Sequence, residues 1–217
     1  MPELTLYRGN RNYSSWSFRG WLALRLSGLP FREEAFDLGS PGTREAVGRH
    51  SPTSKVPALR DGDLVIWDSL AIFEYLAELV PGAGLWPGDT AARAVARAVS
   101  AEMHSGHENL RRGMPMNVRA SCPGKGRGEG VQPEIERVIE IWRDCRARFG
   151  QRGPFLFGEW SLADCSYAPV VSRFLTYHVE VDGDSKAYMD AVWSRPEVGE
   201  WRAAAEAEPM IIPLYEL

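Results

Sequence analysis

The sequence predicts two domains of different class, a small α/β domain followed by an all-helical one. Over the first eighty residues, short apolar strand patterns alternate with helical patterns. Residues 82–90 are rich in glycine and proline and are typical of a linker. Beyond them helical periodicity continues and no convincing strand follows. The expected boundaries are therefore 1–81 for the α/β domain, 82–90 for the linker and 91–217 for the helical domain.

The chain opens with a strand and a helix. Leu4–Tyr7 is a short apolar strand candidate. After a polar loop, either Ser15 or Ser17 is expected to cap a helix, because a serine side chain accepts hydrogen bonds from free amides at a helix start. The helix is predicted to end at Ser27, since Gly28 supplies the left-handed residue that closes many helices.

The rest of the first domain is predicted to contain three more strands and a second helix. Phe31–Leu38 is a second strand of weaker pattern. Ala58–Arg60 and Leu64–Trp67 flank an Asp-Gly pair, which is a strong hairpin signal. A helix follows, capped by Asp68 or Ser69. The predicted order is β-α-β, an irregular or short helical stretch, then β-β-α.

The second domain shows four helical patterns. Apolar spacing marks helices around 95–103 and 135–149, and Ser161–Asp164 opens a third with an acidic variant of the capping box. One final helix is predicted over about 186–207. The glycine-rich stretch 124–130 is interpreted as a loop rather than a phosphate cradle, because no strand precedes it.

Composition excludes several classes of function. A net charge of −4 disfavours nucleic acid as a partner, and no apolar run is long enough to cross a membrane. No secretion signal is visible at the N-terminus. Cys122, Cys145 and Cys165 form neither a Cys-x-x-Cys pair nor a zinc pattern, so reduced structural thiols and a cytoplasmic location are expected.

Two local features indicate a binding site for a small peptide. Val56-Pro57 precedes a strand and is compatible with an ordinary trans turn, but a cis bond would turn the Val56 backbone outward to pair with an extended ligand. Asp68 and Ser69 are ordinary capping residues, yet a helix N-terminus also attracts carboxylates. A ligand carrying a carboxylate and an ammonium group would find partners in Ser69 and Asp68.

A third feature is the serine cluster before the first helix. Such a cluster usually caps the helix, but a hydroxyl of Ser14 can also donate a hydrogen bond to a bound thiolate. A thiol has a pKa near 8.5, and one or two hydrogen bonds together with a helix N-terminus lower it by roughly one to two units. Serine would act there as a donor and not as a general base.

These motifs together resemble the cytosolic glutathione transferases. The resemblance rests on Ser14–Arg19, Lys55–Leu59 and Asp68–Ile72, and on Gly158–Asp164, which is similar to the structural capping box of that family's helical domain. It implies a thioredoxin-like βαβαββα domain joined to a helical domain, a homodimer, and glutathione as co-substrate without a metal. The residues implied to bind glutathione are Lys55, Val56, Pro57, Asp68 and Ser69.

Within that family the serine loop looks most like the zeta class, in a bacterial branch. Zeta enzymes carry Ser-Ser-Cys-Ser-x-Arg, whose first serine matches Ser14, so Ser14 with neighbouring Ser15 is the implied catalytic site. The cysteine of the motif is Trp16 here, which disfavours maleylacetoacetate isomerisation and cysteine-based disulfide reduction. Tyr7 ends the first strand, where tyrosine-type transferases place their activating hydroxyl, and is the alternative to Ser14.

The resemblance also implies a pocket for the electrophilic co-substrate along the first long helix of the second domain. The residues assigned to it are Trp16, His104, Arg111, Arg112 and Met116. The two arginines either favour an anionic co-substrate or lie in solvent at the C-terminal end of a helix, where positive charge is favourable. His104 and His107 share a helix face, but no third ligand is identifiable and no metal site is expected.

Three functions are compatible with these features. The first is conjugation of glutathione to an electrophile, as in detoxification. The second is a zeta-like isomerisation that uses glutathione as a cofactor. The third is a non-enzymatic protein that binds glutathione or another partner on the same fold.

Overall fold

The computed structural model describes residues 3–216 and has the two parts expected from the sequence. The first part contains four strands and three helices, and the second contains six helices. In chain order the elements are β1 Leu4–Arg8, α1 Ser15–Ser27, β2 Phe31–Ala35, α2 Thr43–Gly48, β3 Ala58–Asp61, β4 Leu64–Trp67, α3 Ser69–Leu79, α4 Thr90–Ser105, α5 Glu108–Gly113, α6 Val131–Phe149, α7 Leu162–Thr176, α8 Gly183–Trp193 and α9 Pro196–Ala207.

The sheet has the strand order β2-β1-β3-β4. β1 pairs in parallel with β2 and antiparallel with β3, and β3 pairs antiparallel with β4. The Asp-Gly pair between β3 and β4 forms the predicted hairpin, with Gly62 at a positive φ of 55°. The predicted element order and the thioredoxin-like class of this domain are confirmed.

Helix α1 joins the two domains. It packs on α3 within its own domain and on α7 and α9 of the helical one. Phe18 stacks on Trp201 with ring centroids 4.8 Å apart, and the Trp201 indole donates to the Arg11 carbonyl at 2.9 Å. Because these aromatic rings are fully buried, the contact fixes the loop before α1 against the second domain.

The start of α1 differs from the prediction. Ser14 caps the helix, because its Oγ accepts from the Ser17 amide at 3.3 Å, and Ser15 is already the first helical residue. Ser17 lies inside the helix, where its Oγ accepts from the Gly9 amide at 2.9 Å. The end of α1 is as predicted, since Gly28 adopts a left-handed conformation with φ of 70°.

Three further differences from the prediction concern the end of a strand, a helix that is divided in two and an additional helix. β2 ends at Ala35, because its pairing with β1 stops at Arg8, rather than continuing to residue 38. The single final helix is in fact α8 and α9, because Pro196 lacks the amide needed to continue α8 and instead opens α9. The short helix α5 was not predicted.

The capping box at the start of α7 is confirmed. The Asp164 carboxylate accepts from the Ser161 amide at 2.9 Å and from the Leu156 amide at 3.1 Å. Asp164 is fully buried, and burial raises the pKa of its carboxyl from 3.8 to about 6. Within residues 3–216, none of the helices has both the length and the apolar character that a membrane crossing requires.

Candidate functional site

Ser14 lies at the meeting point of the sheet, helix α1 and the helical domain. Its hydroxyl donates to the Ser17 Oγ at 2.8 Å, and its side chain is buried but lines two cavities. A serine at a helix N-cap faces the free amides of the first turn, where negative charge is stabilised. The Ser14 hydroxyl is therefore placed to donate to an anion that enters either cavity.

The first cavity has a volume of about 400 Å³ and lies between β4, α3 and the loop before β3. All five residues assigned to glutathione binding line it. Its full lining is Trp16, Thr53, Lys55, Val56, Pro57, Trp67, Asp68, Ser69 and His104. Residues that are distant in the sequence thus meet in one concave site.

The loop before β3 carries a cis peptide bond between Val56 and Pro57. Among the residues that the structure describes, the Val56 amide and carbonyl have no backbone hydrogen-bond partner. Since Val56 borders both the first and the second cavity, these groups are available to an extended peptide.

The N-terminus of α3 forms the far wall of the first cavity. The Ser69 hydroxyl is buried and has no hydrogen-bond partner within the described chain. A buried hydroxyl without a partner is costly, so it favours a ligand that supplies one. Asp68 caps the helix through the Leu70 amide at 2.8 Å and turns its other oxygen to the His104 Nε2 at 2.9 Å.

His104, which was assigned to the electrophile pocket, lines the first cavity together with Trp16. It lies beside Asp68, and the His104 and Trp16 ring centroids are 5.0 Å apart with the rings steeply inclined. Burial lowers the pKa of His104, and the nearby arginines lower it further, although Asp68 raises it.

A second cavity of about 550 Å³ runs from Ser14 along α2. It shares Trp16, Thr53, Lys55 and Val56 with the first cavity, and it shares Ser14, Trp16 and Leu38 with the third cavity described below. The remaining lining residues are Ser40, Gly42, Thr43, Arg44, Val47 and Ser54. Sequence reasoning missed Thr53 and Arg44, because neither lies in a recognisable motif.

A third cavity of about 200 Å³ lies between Ser14 and the helical domain. It brings together three residues of the expected electrophile pocket, Trp16, Arg111 and Met116, with Ser14 and Ser15. The other lining residues are Tyr13, Leu38, Pro115, Arg173 and Tyr215. Arg173 and Tyr215 were not anticipated from the sequence.

Two assigned residues are not brought into these cavities. Arg112 is 78% exposed and pairs with Glu108 one turn earlier on the surface of α5. Tyr7 is buried in the sheet and stacks on His50 with centroids 4.4 Å apart. Its ring is not part of the lining of any of the three cavities.

Three guanidinium groups surround the third cavity and Trp16. Arg19 lies 4.3 Å from the Trp16 ring centroid and Arg111 lies 5.6 Å from it. Burial, and then repulsion by Arg173 and Arg111, lowers the pKa of Arg19 to about 9. Burial and repulsion by Arg111 lower the pKa of Arg173 to about 10. All remain cations near neutral pH, so this region carries concentrated positive charge.

The candidate metal ligands do not cluster within residues 3–216. In the described chain, no group of three or more His, Cys, Asp or Glu side chains is arranged to hold a metal ion. His107, the potential partner of His104, is buried at the start of α5 with a positive φ of 55°.

Two family models match the chain. The N-terminal domain of glutathione S-transferases matches residues 13–79, and the C-terminal domain matches residues 117–206. The first match spans the loop at Ser14, the prolyl bond and the start of α3. The second spans α6, α7 and α8 and most of α9.

Known proteins agree with these models. A probable maleylacetoacetate isomerase of Caenorhabditis elegans is 37% identical over 168 residues, which is 76% of either chain. A glutathione transferase homologue from Burkholderia, solved with bound glutathione, has a TM-score of 0.72 and 26% identity, covering 95% of this chain and 100% of its own. A bacterial zeta-class maleyl pyruvate isomerase in its holo form has a TM-score of 0.72 and 27% identity, covering 94% and 98%.

Proposed function

The chain belongs to the glutathione S-transferase family, and we propose that it activates the glutathione thiol at Ser14 for attack on an electrophilic small molecule. One observation carries this proposal. Five residues that the sequence assigns to glutathione line a single cavity, and that cavity adjoins a second one that reaches Ser14. The structural neighbour from Burkholderia has the same fold and was solved with bound glutathione.

Each part of glutathione has a matching group in this arrangement. The γ-glutamyl carboxylate would bind the free Ser69 hydroxyl and the amides at the start of α3. Asp68 would meet the ammonium group, and the Val56 backbone would pair with the cysteinyl backbone. The sulfur would then lie towards Ser14, and the glycyl carboxylate would meet Lys55 and Arg44, which line the second cavity.

Activation follows from hydrogen bonding and position. The thiol proton leaves to solvent, and the Ser14 hydroxyl turns from Ser17 to donate to the thiolate. Stabilising the charged form lowers the thiol pKa, and the thiolate is the nucleophile. The thiolate sulfur then forms a bond to an electrophilic carbon held in the third cavity. In a substitution the leaving group departs with its bonding pair, and in an addition the electrons of the broken π bond take up a proton from solvent. Most of the acceleration comes from positioning and from the larger thiolate fraction.

A zeta-like isomerase is the second candidate. The identity to a probable maleylacetoacetate isomerase and the likeness to a maleyl pyruvate isomerase favour it. Trp16, at the cysteine position of the zeta motif, argues against it.

Two reactions distinguish the candidates. Incubation with glutathione and 1-chloro-2,4-dinitrobenzene should give the glutathione conjugate if the protein is a transferase. Isomerisation of a cis-enediketone, with glutathione recovered unchanged, would support the isomerase. Tight binding of glutathione with neither reaction would leave a non-enzymatic role.

The proposal extends to organisation and location. We propose the domain limits 1–81 and 91–217 with a linker at 82–90. Helix α3 ends at Leu79, before the linker, and α4 begins at Thr90, the last linker residue. A cytoplasmic homodimer acting in detoxification in a bacterium is proposed by family resemblance. Light scattering after size exclusion measures the oligomeric state directly.

Ser69→Ala should weaken glutathione binding about tenfold, because a hydrogen bond to a charged group contributes roughly 1.5 kcal/mol. The thiol pKa of whatever glutathione still binds should not change. Calorimetric titration measures the affinity. Ser194→Ala is the matched control, since its hydroxyl bonds to the Asp190 carbonyl on the exposed end of α8. An unchanged affinity in Ser69→Ala would remove Ser69 from the site.

A further inference from the structure

The segment Glu208–Glu216 follows α9 and runs back across the loop that carries Ser14. It lies beyond residues 117–206, which match the C-terminal domain of the family. Its first anchor is the Glu208 carboxylate, which accepts from the amides of Arg11 at 2.8 Å and Asn12 at 3.1 Å. The start of the segment is thus tied to the backbone of the serine loop.

Arg119 holds the same stretch from the helical domain. Its guanidinium donates to the carbonyl of Glu208 and, at 2.9 Å, to the carbonyl of Met210. It also donates to the Tyr13 hydroxyl at 3.0 Å. One side chain therefore fastens the segment and the serine loop together.

The end of the segment is anchored independently. The Glu216 carboxylate accepts from the Tyr13 hydroxyl and from the Asn117 side-chain amide. Asn117 also donates to the Tyr215 carbonyl at 3.2 Å, and the Tyr215 ring lies against the ring of Tyr13 at 5.8 Å. These contacts hold Tyr215 in the wall of the third cavity.

Arg173 lines the same cavity from α7. Its guanidinium donates to the carbonyls of Met114 and Pro169 and, at 3.2 Å, to the Ser15 hydroxyl. It is 4% exposed, and across residues 3–216 no carboxylate forms an ion pair with it. A buried cation without a counter-ion favours an anionic ligand, because its charge is poorly screened where little of the side chain reaches water.

We propose that Glu208–Glu216 is a specificity element of the electrophile site, in which Tyr215 and Arg173 together bind the carboxylate of an anionic co-substrate. This inference rests on the proposed glutathione-transferase function. The phenol is a neutral hydrogen-bond donor and the guanidinium supplies the charge, a combination suited to a carboxylate. Ser14 lies in the wall of the same cavity, so a bound electrophile is close to the sulfur.

A suitable probe is 4-chloro-3-nitrobenzoate, with 4-chloro-3-nitrobenzamide as its neutral counterpart. In the reaction the thiolate sulfur forms a bond to the ring carbon that carries chlorine, and electron density moves onto the ring and its nitro group. The carbon–chlorine bond then breaks and chloride leaves with the bonding pair. The carboxylate takes no part in bond making or breaking. A difference between the carboxylate and carboxamide compounds therefore reports how the protein binds that group.

Calorimetry with the two glutathione conjugates of these arenes tests the inference without requiring turnover. The wild type should bind the carboxylate conjugate about tenfold more tightly than the carboxamide conjugate. Tyr215→Phe keeps the ring and removes the hydroxyl, and it should reduce that ratio by about fivefold or more. Tyr75→Phe is the matched control, since its hydroxyl bonds to Asp61 at 2.8 Å in the first domain and should leave the ratio unchanged.

Two outcomes separate this inference from the proposed function. Binding of glutathione itself with equal affinity for both conjugates overturns the inference and leaves the proposed function intact. Failure to bind glutathione or either conjugate overturns both. Arg173→Lys keeps the positive charge but loses the planar guanidinium group with its two parallel donors. It should also lower the ratio of affinities for the carboxylate and carboxamide conjugates. If Arg173→Lys does not fold, Tyr215→Phe decides alone, and a ratio that it leaves unchanged refutes the proposal.

Discussion

Ser14→Ala is expected to raise the pKa of the bound glutathione thiol by about one to two units, because the thiolate loses its hydroxyl donor. Near pH 7 the thiolate fraction, and with it the rate of conjugation, should fall about tenfold. Above the pKa of the unassisted thiol the two enzymes should converge, since both then carry the thiolate. Ultraviolet absorbance of the bound thiolate against pH measures the shift directly.

Two controls distinguish activation from a structural effect. Ser14 also caps α1, so its loss should cost about 1 kcal/mol of stability. Asp89→Ala removes the cap of α4, where Asp89 accepts from the Ala92 amide at 2.8 Å, and should leave the thiol pKa unchanged. Tyr7→Phe should also leave it unchanged, because Tyr7 is stacked on His50 in the sheet. A raised thiol pKa in Tyr7→Phe alone would transfer the role to Tyr7.

Asp164→Ala should destabilise the protein by roughly 3 kcal/mol, because it leaves buried amides of Leu156 and Ser161 without an acceptor. For a chain of this size, that corresponds to a fall in melting temperature of about 10 °C. Thermal denaturation followed by circular dichroism measures it. Asp182→Ala is the matched control, because Asp182 caps α8 near the surface and should cost only about 1 kcal/mol.

The stability difference between wild type and Asp164→Ala should depend on pH. Burial raises the pKa of Asp164 from 3.8 to about 6, so the native state binds the proton more tightly than the unfolded chain. The stability gained from this proton uptake is fully present below about pH 4 and is lost as pH rises through about 6. The gap in melting temperature should therefore be wider at about pH 5 than at about pH 7.5. Equal gaps would show that hydrogen bonding balances burial at this carboxyl, and a narrower gap at about pH 5 would show that hydrogen bonding outweighs it.

Local signals predicted most of the fold. Gly28 ends α1 because a left-handed residue is needed there, and the Asp-Gly pair makes the turn between β3 and β4. Such effects act within a few residues and can be recognised in a sequence. The final helix was predicted as one because its apolar pattern continues past Pro196, although the missing amide divides it.

The site residues that belong to a sequence motif could be predicted. The site residues that are brought together only by tertiary packing could not. Arg111 and Arg112 are adjacent, yet consecutive residues on a helix point about 100° apart, so only Arg111 reaches the cavity. Arg173 reaches the cavity because α7 packs on α1, and Tyr215 reaches it because the segment after α9 folds back. Neither arrangement has a local signature.

The position of Trp16 has a practical consequence. Its partly exposed ring lines all three cavities, and two guanidinium groups lie against it. A ligand entering any of these spaces displaces water from the same indole. The intrinsic fluorescence of the unlabelled protein should therefore respond both to glutathione and to the second substrate, so that one optical signal follows both binding steps.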